Sequence, residues 1–181
     1  MIDIEQNIRT GFSDYQESNL DNFEYSAENP IYVTDKKESK ATIEHNINAL
    51  LKKKACVIKN DSSNSVCVLS IDKGLLSGSH CDFATFDNKT KFVFVEMKMN
   101  ASSTNEITNG ENIQKAQAQI MNTFNFFKER KIDLVKNCKI ELLLCMPDIY
   151  PRTNFTRFAK TLKYLDDNKI KMYIENKIDF K

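Results

Sequence analysis

The sequence predicts an α/β domain, a mixed β-sheet flanked by helices. Three observations carry this. Short strand-like runs at 55–59, 65–71, 81–86 and 91–98 are separated by polar turns. A long stretch over 111–130 instead carries its apolar residues at helical spacing. The run KIELLLCM at 139–146 is nearly continuously apolar, the pattern of a strand covered on both faces. A chain of 181 residues is of ordinary size for one such domain.

Residues 1–38 are polar and acidic, with Phe12, Tyr15, Phe23 and Tyr25 scattered through them. They read as an N-terminal arm or irregular cap, ending near Pro30 and the run Thr34-Asp35-Lys36-Lys37, with 39–181 as the domain proper. Ile43, Ile47, Leu50 and Leu51 recur at helical spacing and predict a helix over 41–53; Lys52, Lys53 and Lys54 at its end complement the helix dipole. The runs 55–59 and 65–71 follow as strands, joined by a hairpin-type loop, Asn60-Asp61-Ser62-Ser63-Asn64. A turn with Gly74 and Gly78 leads to the strand 81–86, a turn at 87–90 and the strand 91–98. The Ser-, Thr-, Asn- and Gly-rich stretch 99–110 reads as a loop. In the helix over 111–130, Ile113, Ala116, Ile120, Phe124 and Phe127 form the buried stripe. After the strand 139–146, a helix over 154–166 and a strand over 170–175 complete the order.

Lys and Arg total 26 and Asp and Glu 25, a formal net charge of +1. Phosphate binding needs a local positive face rather than a high total, so this balance leaves nucleic acid open as a partner. The basic residues Lys128, Arg130 and Lys131, and Arg152, Arg157, Lys160 and Lys163, fit solvated helix surfaces. Five cysteines without a CxxC, each beside apolar residues, fit reduced buried thiols. With only two histidines, no ligand pair has zinc spacing. No apolar run reaches the ~20 residues that span a bilayer, which argues against a membrane protein. The opening residues lack the apolar segment of a signal peptide, so a cytoplasmic location is expected.

The sharpest local feature is Asp82 together with the strand ending Glu96-Met97-Lys98. Period-two alternation points Glu96 and Lys98 the same way as Phe92 and Phe94, with Val93, Val95 and Met97 pointing the other way. Charged residues at the end of an apolar strand are costly unless paired or liganded. The turn at 87–90 makes the two strands a hairpin and brings Asp82 close to Glu96. Two carboxylates and an ammonium then converge. Hard oxygen ligands of this kind hold Mg²⁺ (or Mn²⁺), with waters in the remaining positions. Such an ion polarises a scissile phosphate and acidifies a bound water, while a neighbouring lysine orients that water or stabilises transition-state charge. The same three residues also fit a structural ion-pair cluster on a sheet rim. His80, beside the motif, fits a rim residue better than a general base.

Asp82, thirteen intervening residues and Glu96-x-Lys98 on an apolar strand resemble the signature of the PD-(D/E)XK nucleases. The family's Pro-Asp is Cys81-Asp82 here, a tolerated departure because the proline makes no metal contact. The element order over 41–146 is similar to that family's core, and Lys115-Ala116-Gln117-Ala118-Gln119-Ile120 resembles a Lys-Ala-x-x-Gln-Ile helix found in small prokaryotic members. The resemblance implies a restriction-endonuclease-like αβββαβ core. It implies metal-dependent hydrolysis of nucleic acid, DNA in the first instance, in a defence or mobile-element setting. Asp82 and Glu96 would be metal ligands, with the Met97 carbonyl as another, and Lys98 would position the water. Gln119 would support the site, with Lys115 one turn earlier on the same face. Some members add a glutamate from the first helix; Glu44 is the candidate here, and fits an exposed surface residue better. A homodimer or a larger defence complex is the assembly implied. Two alternatives stand beside this: a catalytically silent interaction module on the same fold, and an ordinary hairpin in an unrelated α/β fold.

Overall fold

Alternation along the strands sends successive side chains into two different interiors. The computed structural model describes residues 3–14, 21–35, 39–62, 64–87, 89–99, 111–132, 134, 138–147 and 170–181. Among these, ten strands divide between two mixed sheets. β1 (Phe23–Ser26), β5 (Val66–Ser70), β6 (Phe83–Phe86), β7 (Lys91–Met97), β8 (Lys139–Cys145) and β9 (Lys171–Glu175) form a six-stranded sheet in that spatial order. Its β1–β5–β6–β7 pairs are antiparallel and its β7–β8–β9 pairs parallel. β10 (Lys177–Phe180), β4 (Cys56–Asn60), β2 (Ile31–Thr34) and β3 (Thr42–Ile43) form a four-stranded sheet in the order β10-β4-β2-β3.

Phe92, Phe94, Ala84, Phe86, Ile140, Leu142 and Leu144 share one core with α1 (Ile4–Gly11) and α3 (Glu111–Glu129). Their strand neighbours Val93, Val95, Met97, Phe83, Leu143 and Cys145 share the other core with Ile31, Val33, Ile58, Ile178 and Phe180 of the smaller sheet. The layers are therefore helices, six-stranded sheet, four-stranded sheet. From Leu142 onward β8 is apolar along both faces because it lies between the two cores. α3 stands between the parallel strands β7 and β8, the long connection that parallel neighbours need. Its stripe Ile113, Ala116, Ile120, Phe124 and Phe127 is buried as the spacing predicts.

Four local expectations are corrected. The helix over 41–53 is replaced by β3 and by α2 (Ala49–Lys52). Ile43 is drawn into the inter-sheet core opposite Val33. The Asn48 side chain accepts the N–H groups of Leu50 and Leu51, so helix starts only there. Leu50, 70% exposed, takes no part in any buried stripe. The runs 55–59 and 65–71 do not form a hairpin, because β4 and β5 belong to different sheets. The single mixed sheet becomes two. Finally, the first 38 residues contribute regular elements where an arm or irregular cap is expected. Asp3 caps α1 by accepting the Glu5 N–H at 3.0 Å, and Ile4, Ile8 and Phe12 drop into the helix-side core. β1 and β2 then each join a sheet.

Residues 100–110 of the expected loop, the helix over 154–166 and Arg152, Arg157, Lys160 and Lys163 lie outside the described residues. No helix among the described residues is long and apolar enough to cross a membrane.

Candidate functional site

The β6–β7 register sets the site. Phe83 pairs with Val95 and Ala84 with Phe94, so continuing the ladder one step places Asp82 across from Glu96. Asp82 is held from several sides. Its carbonyl accepts the Ile71 N–H at 2.9 Å, and its Oδ2 accepts the Met97 N–H at 2.5 Å. Cys81, just before it, donates its N–H to Thr123 Oγ1 on α3 at 2.8 Å, and Thr123 donates its hydroxyl to the Gln119 carbonyl at 2.9 Å. The strand carrying Asp82 is thereby pinned to the helix beneath the site.

Glu96 is fully buried. Its Oε1 receives the Lys98 ammonium, and its Oε2 has no hydrogen-bond partner among the described residues. Lys98 also donates to Gln119 Oε1 at 3.3 Å, while Gln119 Nε2 donates to the His80 carbonyl at 3.0 Å. Gln119 thus links the end of β7 to the approach to β6. Asp82, Glu96 and Lys98 come together as the hairpin pairing leads one to expect, and Gln119, the residue that the resemblance singles out, reaches Lys98 from α3.

Burial pushes the Asp82 carboxyl up to about 7, with the Met97 N–H opposing the rise and Asp35 adding to it. Burial pushes Glu96 up to about 8, with Asp82 adding to it and Lys98 opposing. Another buried acid of the same sheet behaves oppositely. Glu141 is also penalised by desolvation, yet Lys139 at 3.0 Å, Lys91 at 3.6 Å and the Tyr173 hydroxyl at 3.0 Å hold it below the ordinary carboxylate range. Glu141 is a satisfied structural anion, whereas Glu96 keeps an oxygen without a partner. A strongly perturbed, desolvated group with unmet bonding capacity is a candidate functional group.

The remaining expected residues sit apart. Lys115 is exposed on α3. Glu44 is not on a helix: it follows β3 and accepts the Thr34 hydroxyl at 2.7 Å in the smaller sheet. Two acids escaped the sequence reading. Asp35, just past β2, is pushed up by desolvation, with Lys73 and Lys98 opposing and Asp72 adding to the rise; Asp72, just past β5, also raises Asp82. The usable signal was that each is a carboxylate closing an apolar strand run.

An oxygen-only donor set with one orphaned buried carboxylate oxygen suits a hard divalent cation. Among the described residues, no group of three or more His, Cys, Asp or Glu side chains is gathered tightly enough to hold a metal ion by itself. A cation here would draw on Asp82 and Glu96 and complete its shell with water and backbone carbonyl. No family model, no curated protein and no solved structure matches the chain.

Proposed function

We propose that the chain is a PD-(D/E)XK-type phosphodiesterase that hydrolyses nucleic acid, DNA in the first instance, with Mg²⁺ or Mn²⁺ held between Asp82 and Glu96. The observation that carries this reading is the Glu96 carboxylate: fully buried, one oxygen on Lys98 and the other without a partner among the described residues, across the ladder from a second acid. The bound cation would polarise the scissile phosphate and supply hydroxide from a coordinated water at neutral pH. Asp82 and Glu96 would hold it, with the Met97 carbonyl as a further donor. Lys98, whose ammonium reaches the rim, stabilises charge building on the phosphoryl oxygens. Gln119 holds Lys98 on that trajectory. The setting is a reducing cytoplasm, where all five cysteines stay as free thiols. A defence or mobile-element role, as a dimer or within a larger complex, suits such an activity.

A second reading rests on a specific observation. The Met97 N–H on Asp82 and the Lys98 ammonium on Glu96 already close part of the cluster internally, as a catalytically silent interaction module would. Incubation with supercoiled plasmid and with oligonucleotides in Mg²⁺ or Mn²⁺ separates the two. Cleavage abolished by Asp82→Asn and by Lys98→Ala supports the enzyme. No cleavage, together with no Asp82-dependent Mn²⁺ binding by calorimetry, supports the silent module.

A further inference from the structure

The two sheets meet beside the carboxylate pair, and a third acid arrives there from the smaller one. We propose that Asp35 is a positioning residue of the same cation site, accepting a hydrogen bond from a water in the cation's shell. The site then lies on the seam between the two sheets rather than on the β6–β7 hairpin alone. This rests on the reading above for the presence of a cation.

The backbone carries Asp35 to the site. Val33 pairs with Ile43 and Thr34 with Thr42, so the β2–β3 ladder continued one step sets Asp35 across from Ala41. The Ala41 carbonyl accepts the Ser70 hydroxyl, which ties this end of the smaller sheet to the last residue of β5. Ser70 in turn pairs with Phe83, and the next residue, Ile71, donates its N–H to the Asp82 carbonyl at 2.9 Å. Ala41 and Ser70 are both buried, so the seam is a packed joint. Asp35, at its edge, is half-buried and keeps access to water.

Charge points the same way. Asp35 acts electrostatically on Asp82 and Glu96, and is itself acted on by Asp72, Lys73 and Lys98. Four carboxylates and two ammoniums, all ionised, leave an excess of two negative charges, which one divalent cation neutralises. The excess is not left to solvent alone. Glu96 Oε2, fully buried and without a partner among the described residues, belongs to the same neighbourhood, and an orphaned buried oxygen calls for a ligand. Among the described residues no three acids stand close enough to hold one ion directly, so the link from Asp35 runs through a water. Asp72 is less suited to that role, because its Oδ2 faces the Lys73 ammonium at 4.0 Å.

The test is calorimetric titration of the full chain with Mn²⁺, without nucleic acid. Asp35→Ala should weaken binding about tenfold and Asp35→Asn, which keeps only an amide oxygen as acceptor, about threefold, the scale of lost outer-shell partners. The exposed control Glu28→Gln should change nothing. The Asp35→Ala loss should persist in ~0.5 M KCl, where attraction between separated charges is screened. Metal-free thermal denaturation checks that each variant folds, and a variant that melts far below wild type yields to the other. Asp82-dependent binding that is unchanged in a folded Asp35 variant, or a loss that vanishes in high salt, overturns this proposal and leaves the cation site standing. No Asp82-dependent binding in the wild type overturns both. Asp35-dependent Mn²⁺ binding without cleavage of nucleic acid keeps the proposal and removes the enzyme.

Discussion

Met97 gives its backbone N–H to Asp82 Oδ2 at 2.5 Å, fastening the acid at the mouth of β6 to the last residue of β7. The bond fixes one carboxylate oxygen and stabilises the anion, yet burial still holds the group near neutrality. The site is therefore poised between proton and cation, and its behaviour with pH follows.

Stability of the metal-free protein should fall as pH rises. The folded Asp82 and Glu96 titrate at about 7 and about 8, well above ordinary unfolded carboxylates. Between pH ~4 and ~8 the unfolded chain therefore releases protons that the fold retains, which destabilises the fold as pH rises. At about 1.4 kcal/mol per pH unit the cost at pH 8.5 reaches several kcal/mol. Asp82→Asn and Glu96→Gln should each raise Tm at pH 8.5 while changing it little at pH 4. Equal Tm for wild type and both variants across that range would refute the buried-acid account.

Mn²⁺ should reverse this trend. A divalent cation displaces the retained protons, so its binding strengthens with pH. Differential scanning fluorimetry should show a larger Tm increase with Mn²⁺ at pH 8 than at pH 6, absent in Asp82→Asn. A pH-independent shift would point to binding elsewhere.

Lys98→Ala should separate binding from chemistry. Loss of a charge-stabilising donor typically costs on the order of 10²–10³ in kcat. Mn²⁺ affinity should persist, because the carboxylates remain. Cleavage at wild-type rate would remove Lys98 from the chemistry.

Gln119→Leu tests positioning. It removes the tether between the His80 carbonyl and Lys98, so kcat should drop about tenfold with KM little changed, on the scale of a lost orienting group. Gln119→Glu should restore part of the rate by keeping an acceptor for Lys98. Equal losses in kcat and in folding stability for both variants would mark Gln119 as structural only.

Thr123→Val tests the pin beneath the site. It keeps shape but strands the buried Cys81 N–H, a cost of ~1–3 kcal/mol. Urea denaturation should show that loss, and an unchanged midpoint would mean that the N–H finds another acceptor.

The sequence was most legible where one residue pattern had one structural solution. The alternation in 91–98 assigns Phe92 and Phe94 to one core and Val93 and Val95 to the other, as found. The turn at 87–90, where Asp87 Oδ1 accepts the Thr90 N–H at 2.8 Å, fixes the register that brings Asp82 to Glu96. Elsewhere tertiary context prevailed. Ile43, Ile47 and Leu50 have helical spacing, but inter-sheet burial of Ile43 outweighed it. Ile4, Ile8 and Phe12 are too few to announce a helix among polar neighbours, although burial of all three sets α1. Asp35 and Asp72 come to the site from different strand ends, and no local spacing reports that proximity.

The smaller sheet has a temporal consequence. Its strand β10 lies parallel to β4, Lys177 beside Val57, so two distant stretches of chain must meet before that layer closes. Loop-closure entropy makes such long-range parallel pairing slow. During synthesis on the ribosome, Ile58 and Cys56 would wait, half covered, until Ile178 emerges, leaving an adhesive edge that a chaperone could occupy in the interval.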